Sequence, residues 1–165
     1  MPIHSTTPPP VNLSNHNSLL DTREEARNTL CQHIQHAENL NDLDDGIQEH
    51  ENILSTDQLE SLLTKEEIGN IFWNKALDHS HIADEYYNGQ INGRQQLVPA
   101  LRHQQLAIAD MTTAKSLYEN THYAETAQNE MQGMTHLLQL ITDKLKESSA
   151  VLQEECPPNH ATLRC

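Results

Sequence analysis

The stretch from Tyr123 to Leu152, YAETAQNEMQGMTHLLQLITDKLKESSAVL, decides the fold. Along it, Ala124, Ala127, Met131, Met134, Leu138, Ile141, Leu145, Ser148 and Leu152 recur at spacings of three and four. That is the period of one face of an α-helix. Sustained over about four heptads, it is a coiled-coil-like seam. Such a helix is roughly 45 Å long at about 1.5 Å per residue. A compact domain of this size needs less, so the far end is a candidate for pairing with a partner or a second copy. Gly133 and Ser148 are its weak positions.

Working towards the N-terminus, a bend is predicted at Asn120-Thr121. Before it, a helix starts between Gln95 and Pro99 and continues through Ala107, Met111, Ala114 and Tyr118. Proline is tolerated in a first turn, where its missing N–H loses no partner. Asn92-Gly93 is a turn signal, and Gly89 is placed to end the preceding helix. That helix opens on Thr64 and Glu67, the T-x-x-E pattern of a capping box. Ile68, Ile71, Phe72, Ala76, His79, Ala83 and Tyr86 share one side of it. Ser55-Thr56-Asp57 predicts a further start ahead of Leu59, Leu62 and Leu63, and a short helix carries Ile47, Ile53 and Leu54. The run Asn41 to Gly46 reads as a break. A first helix is predicted from Thr22, capped with Glu25, with Leu20 stapled onto Ala26 and an apolar row of Ala26, Leu30, Ile34 and Ala37. No segment has the β-branched, period-two pattern of a strand. The fold class expected is all-α: an irregular bundle of about five helices with a long C-terminal helix.

Six of the seven prolines lie near the ends, and the first eighteen residues are rich in Pro, Ser, Thr and Asn. This composition predicts a disordered segment over 1–18, a single helical domain over 19–155 and a flexible tail over 156–165. No apolar run reaches the roughly 18 residues of a membrane span, and the N-terminal stretch has no apolar signal-peptide core. The expected location is cytoplasmic, or outside the cell by a route without such a signal. Three cysteines, Cys31, Cys156 and Cys165, match no zinc or redox spacing and read as free thiols. Cys31 falls on a helical apolar face and reads as a structural thiol.

Ten Lys and Arg oppose twenty-four Asp and Glu, for a formal charge of −14. Such a surface repels phosphates and excludes nucleic acid as the expected partner. It attracts basic proteins, with a salt-sensitive association. Between Asp21 and Glu60 stand eleven carboxylates and two arginines, Arg23 and Arg27, a solvated face or a docking surface. Eleven histidines make acid sensitivity a physical option.

His81 and Glu85 form an H-x-x-x-E pair, with His50 further upstream. The arrangement is similar to the first half of a hemerythrin-like di-iron bundle. That family continues with H-x-x-x-H, which this chain lacks. Glu119-x-x-His122 is one E-x-x-H pair, where di-iron carboxylate bundles use two. No metal site is therefore assigned, and His50, His81 and Glu85 are the candidates if one exists. No cofactor is expected. No nucleophile elbow, P-loop or dinucleotide fingerprint occurs.

The segment Met111 to Met134 carries Ala114, Leu117-Tyr118, Tyr123-Ala124-Glu125, Ala127 and Met131. It resembles one tetratricopeptide-type helical hairpin, extending over about residues 107–141. The resemblance implies closely packed antiparallel helices and a peptide-binding role. The turn lacks that family's usual glycine, and no second copy lies 34 residues upstream. The Ser/Thr/Pro/Asn-rich N-terminus on a small acidic helical body is similar in composition to bacterial secreted effectors and their chaperones.

The function expected is therefore a non-enzymatic protein–protein interaction module: an adaptor, a chaperone-like binder or a secreted effector. Its candidate contact residues are Trp73, Tyr86, Tyr87, Tyr118, Tyr123, Met131, Met134, Leu138 and Leu145. The alternatives are a His/Glu metal-binding bundle and a homo-oligomer assembled through the 124–152 seam.

Overall fold

The structure is a computed structural model that describes residues 14–155, with side chains described for 21–152. The expectations for the proline-rich start, for the Leu20 staple and for the 156–165 tail with its two cysteines lie outside those residues. Six helices follow one another: α1 (Ser14–Glu38), α2 (Leu43–Leu54), α3 (Leu59–Leu62), α4 (Lys65–Tyr87), α5 (Leu97–Leu117) and α6 (Tyr123–Glu155). The described residues contain no strand. The protein is all-α, with α3 a single turn beyond the five main helices.

The α4 helix is the spine, and both of its ends were written in local sequence. Thr64 Oγ1 accepts from the Glu67 N–H at 3.1 Å, and Glu67 Oε2 accepts from the Thr64 N–H at 2.8 Å. This reciprocal pair satisfies two of the helix's orphan donors. Asn88 and Gly89 close the other end, Gly89 at φ 71°. Asn92 and Gly93 then turn the chain at φ 59° and 68°. The returning Gln96 N–H donates to the Tyr86 carbonyl at 2.9 Å, so the loop caps the helix it leaves.

Each main helix runs antiparallel to the next. Lys75, in the middle of α4, meets Asp110 of α5, and Tyr86 at the C-terminal end of α4 stacks on His103 near the start of α5. On α5 and α6, Gln104 donates to the Met134 carbonyl at 2.8 Å, while Lys115 reaches Gln128 across the turn. One core cluster joins α1, α2, α3 and the start of α4 through Leu30, Ala37, Ile53, Leu59, Leu63, Ile68 and Ile71. A second joins α4, α5 and α6 through Ala76, Ala107, Met111, Ala114, Tyr118, Ala127 and Met134. Its four alanines let the helix backbones come close, and Met fills the irregular space between them.

Two boundaries differ from the sequence reading. The first helix begins at Ser14, so Thr22 lies inside it and is no cap. Residues 14–18, expected to be disordered, are helical. The T-x-x-E pattern also suits a helix interior when the residues around it are good helix formers, as Arg23, Glu24, Glu25 and Ala26 are. Gly46 was read as part of a break but sits inside α2, whose cap is Asp42 accepting from the Asp45 N–H at 3.0 Å. A Cβ on Gly46 would lie 3.0 Å from Asp78 Oδ2, so this glycine makes room for α4.

Candidate functional site

The residues Trp73, Tyr118 and Tyr123, spread over fifty positions, converge where the middle of α4 faces the α5–α6 turn. Tyr118 is the floor, 2% exposed, with its ring 6.1 Å from that of Trp73 and 5.4 Å from that of Tyr123. Its hydroxyl donates to Asn70 Oδ1 at 2.5 Å. Burial pushes the Tyr118 phenol up to about 12, so it remains a donor across the physiological range. The His122 ring lies against that of Tyr123, tilted by 37°, with centroids 3.9 Å apart. Together with Asn70, Asn74, Glu38 and Thr126, these rings line an open groove of about 360 Å³. Asn74 Nδ2 donates to Glu38 Oε1 at 3.0 Å, tying α4 to the end of α1. Asn70 and Asn74 are one helical turn apart, so their carboxamides edge the groove from the same side.

The same geometry explains why Tyr118 can lie so low. A Cβ at residue 69 would meet Tyr118 Cε1 at 2.8 Å, and only Gly69 leaves that space.

On the opposite side of α4 is a line of polar groups between α4 and α5. Lys75 Nζ lies 3.8 Å from Glu51 and 3.3 Å from Asp110 Oδ1. Asp110 Oδ2 faces His79 Nε2 at 3.9 Å, and His79 Nδ1 meets His103 Nδ1 at 3.0 Å. Burial, helped by His103 and Lys75, holds His79 down to about 4; burial also lowers His103 and raises Asp110. The line ends at a cavity of about 470 Å³ lined by Tyr86, Val98, Pro99, Arg102, His103 and Leu106. His79 had one signal in the sequence: a histidine in an otherwise apolar stripe.

A third feature lies between α2 and α4. His50 is 1% exposed, and its Nδ1 stands 3.9 Å from Asp78 Oδ2. Burial lowers His50 and raises Asp78 to about 6. Its partners in the proposed metal set lie elsewhere: His81 and Glu85 pair with each other at 3.5 Å, and the His81 side chain is 62% exposed. Among the described residues, no group of three or more His, Cys, Asp or Glu side chains is arranged to hold a metal ion.

Of the remaining expected contact residues, Tyr86 belongs to the His103 cavity and Tyr87 is half-buried. Met134 is buried in the second core cluster with Met131 packed against it, and Leu138 and Leu145 are half-buried. The inner row of α6 is thus buried as far as Ile141, with Leu145 half-buried beyond it. From Lys146 to Leu152 the described side chains are exposed. Among the described residues, the large depression beside Arg23 and Arg27 offers no free cation, because both guanidinium groups cap α3: Arg23 donates to the Ser61 carbonyl, and Arg27 to the Leu62 carbonyl and to Glu67 at 2.7 Å. No helix among the described residues is long and apolar enough to cross a membrane. Comparison of the chain with protein-family models, with curated proteins and with solved structures finds no match.

Proposed function

We propose that this protein acts by binding, not by catalysis, and that it holds a segment of a partner protein in the groove between α4 and α6. The observation that carries this reading is the convergence of Trp73, Tyr118 and Tyr123 on one open concave surface. Aromatic residues bury large areas at little entropic cost and are frequent anchors of protein interfaces. The Asn70 and Asn74 carboxamides each combine donors with an acceptor, which is the chemistry of a peptide backbone. The charge of −14 favours a basic partner and steers its approach. The scaffold in this reading is a tetratricopeptide-like unit, the α5–α6 hairpin, with Ala114, Tyr118 and Ala127 buried along its inner face and Ala124 packed against them. The adaptor, chaperone-like and effector roles are all forms of this activity.

The test is selection of displayed random peptides on the full chain, followed by binding measurements on Trp73→Ala and Tyr123→Ala. Tyr123 is 38% exposed, so its truncation leaves the fold standing. Selected peptides should share a sequence pattern and lose at least about tenfold in affinity to either variant, as hot-spot residues do. Peptides that bind wild type and both variants equally would refute the groove.

A second reading is a homo-oligomer through the free end of α6. It is favoured by Val151 at 53% and Leu152 at 67% exposure on the free end of α6. Light scattering on wild type and Leu152→Asp decides it, since a monomer in both ends that reading.

A further inference from the structure

The aromatic groove shares a wall with a second cavity. Glu38 and Asn74 line both, and beyond them lies a space of about 380 Å³ bounded by Ala37, Leu40, His50, Leu77 and Asp78. Every polar group that α1, α2 and α4 bring to this space either is an anion or has an acceptor to offer. Asp78 is largely buried, and the one side chain favouring its charge is the outward His81. Glu38 spends one oxygen on the Asn74 amide, which leaves its other oxygen and Asn74 Oδ1 unused. His50 is 1% exposed and makes no well-formed hydrogen bond: its ring N–H has only the Gly46 carbonyl, one turn back on α2, and its lone-pair nitrogen has no donor. Its distance of 3.9 Å to Asp78 is beyond hydrogen-bond range. Buried polar atoms in folded proteins are nearly always paired, so an imidazole left this way marks a place where a donor is missing. Among the described residues none supplies that donor. Lys75, beside Asn74 in sequence, turns its ammonium to Asp110 and Glu51 instead.

We infer that this cavity is the subsite for a guanidinium group, the side chain of an arginine in the segment that the adjoining groove holds. The inference rests on the groove being a peptide site. A planar guanidinium has five donors, enough for both Asp78 oxygens, Asn74 Oδ1 and, once the ring turns to meet it, the lone-pair nitrogen of neutral His50, which is closed off from solvent in this structure. It is also weakly hydrated, which suits walls made of Ala37, Leu40 and Leu77. An ammonium has three donors in a tetrahedral array and holds its water more tightly. A divalent cation is the poorer occupant, because the described carboxylates and imidazoles do not converge as a ligand set. Occupancy gives Asp78 the counter-ion it lacks and places the partner's backbone one side chain away from Trp73.

The experiment is an NMR titration of the full labelled chain with ethylguanidinium at low salt and pH 7.5, with ethylammonium and the neutral isostere ethylurea as comparisons. The expected result is a saturable shift of the His50 ring and the Asn74 carboxamide in the millimolar range. Ethylurea should give none, and ethylammonium should bind at least about fivefold more weakly. Asp78→Asn should abolish the shift, while Asp143→Asn on α6, which removes the same charge elsewhere, should preserve it. No saturable shift at His50 and Asn74, an undiminished shift in Asp78→Asn, or equal binding of ethylammonium would each overturn the assignment. The small probe reads the subsite without any peptide. If peptides select the groove but ethylguanidinium leaves His50 unmoved, the subsite fails alone. If ethylguanidinium binds and no peptide does, the groove reading fails alone.

Discussion

Tyr118 rests directly on Gly69: three of its ring carbons lie within 3.2 Å of where a Cβ on that residue would stand. The ring has no route of retreat. Its hydroxyl is tied to Asn70, and Trp73 and Tyr123 flank it. Gly133, also in the middle of a helix, has nothing within 4 Å of its imagined Cβ. The same substitution should therefore have opposite signs at the two sites. Gly133→Ala removes backbone freedom from the unfolded chain and should stabilise by about 0.5–1 kcal/mol. Gly69→Ala gains the same propensity but overpacks a buried ring, which costs about 1–3 kcal/mol. A net loss of roughly 1–2 kcal/mol is expected, together with weaker peptide binding in the groove. Urea unfolding of both variants checks this. A stabilised Gly69→Ala would mean that Tyr118 is free to move.

The α6 seam supplies a second contrast. Ile141 is fully buried, whereas Leu152, on the same heptad-like row, is 67% exposed. Ile141→Ala should cost about 2–4 kcal/mol through lost burial and the cavity left behind. Leu152→Ala should change stability by less than about 0.5 kcal/mol. Equal losses at both positions would show that the far end is covered in solution, which is what an oligomer would do.

That row also shows how much of the fold was legible in the sequence. Ala127, Met134 and Ile141 recur every seven residues and are all buried, so the spacing alone found the helix and its inner face. Thr64 with Glu67, and Asn92 with Gly93, were equally plain, because caps and turns are settled by residues a few positions apart. The site was legible only in part. Trp73, Tyr118 and Tyr123 could be singled out by residue type, but their meeting depends on how α4 packs against the α5–α6 turn. Asp110 carries no signal of its own in the sequence, since a lone carboxylate in a helix looks solvated until Lys75 and His79 are set across from it. Gly46 was misread for a related reason. Its role is to admit Asp78 from another helix, and nothing in its own neighbourhood says so.

Opposite pH signatures are expected from two neighbours on α4. Asp78 is raised to about 6 by burial, against 3.8 when unfolded. Between those values the folded state holds a proton that the unfolded state releases, so stability falls as pH rises through the window and stays lower above it. Asp78→Asn should stabilise by about 1–2 kcal/mol at pH 7.5, a gain that disappears below about pH 4. His79 is lowered to about 4 from 6.5, chiefly by burial. Here the unfolded state takes up the proton first, so stability is lost as pH falls from 6.5 towards 4. Because Asp110, His50 and His103 titrate abnormally too, the readout is each variant's difference from wild type. The His79→Gln difference should shrink by about 1–3 kcal/mol across that window. Parallel stability curves for wild type and variant would contradict the assigned burial.

The contact between His79 and His103 constrains where their protons sit. Two Nδ1 atoms 3.0 Å apart need one N–H and one lone pair between them. If His79 were the donor, its Nε2 lone pair would point at Asp110 Oδ2, 3.9 Å away, and two acceptors would face each other. If His103 donates, His79 carries its proton on Nε2 and presents it to Asp110, whose other oxygen Lys75 holds at 3.3 Å. The second arrangement is favoured at every contact, so His103 should be protonated at Nδ1 and His79 at Nε2. Long-range proton–nitrogen spectra at pH 7.5 distinguish the two tautomers directly. Asp110→Asn removes the charge that sets the order, and it should leave a mixture of both forms at each ring. Finding the reverse tautomers in wild type would mean that Asp110 is protonated at neutral pH, with Lys75 as its neighbour but no longer its ion-pair partner.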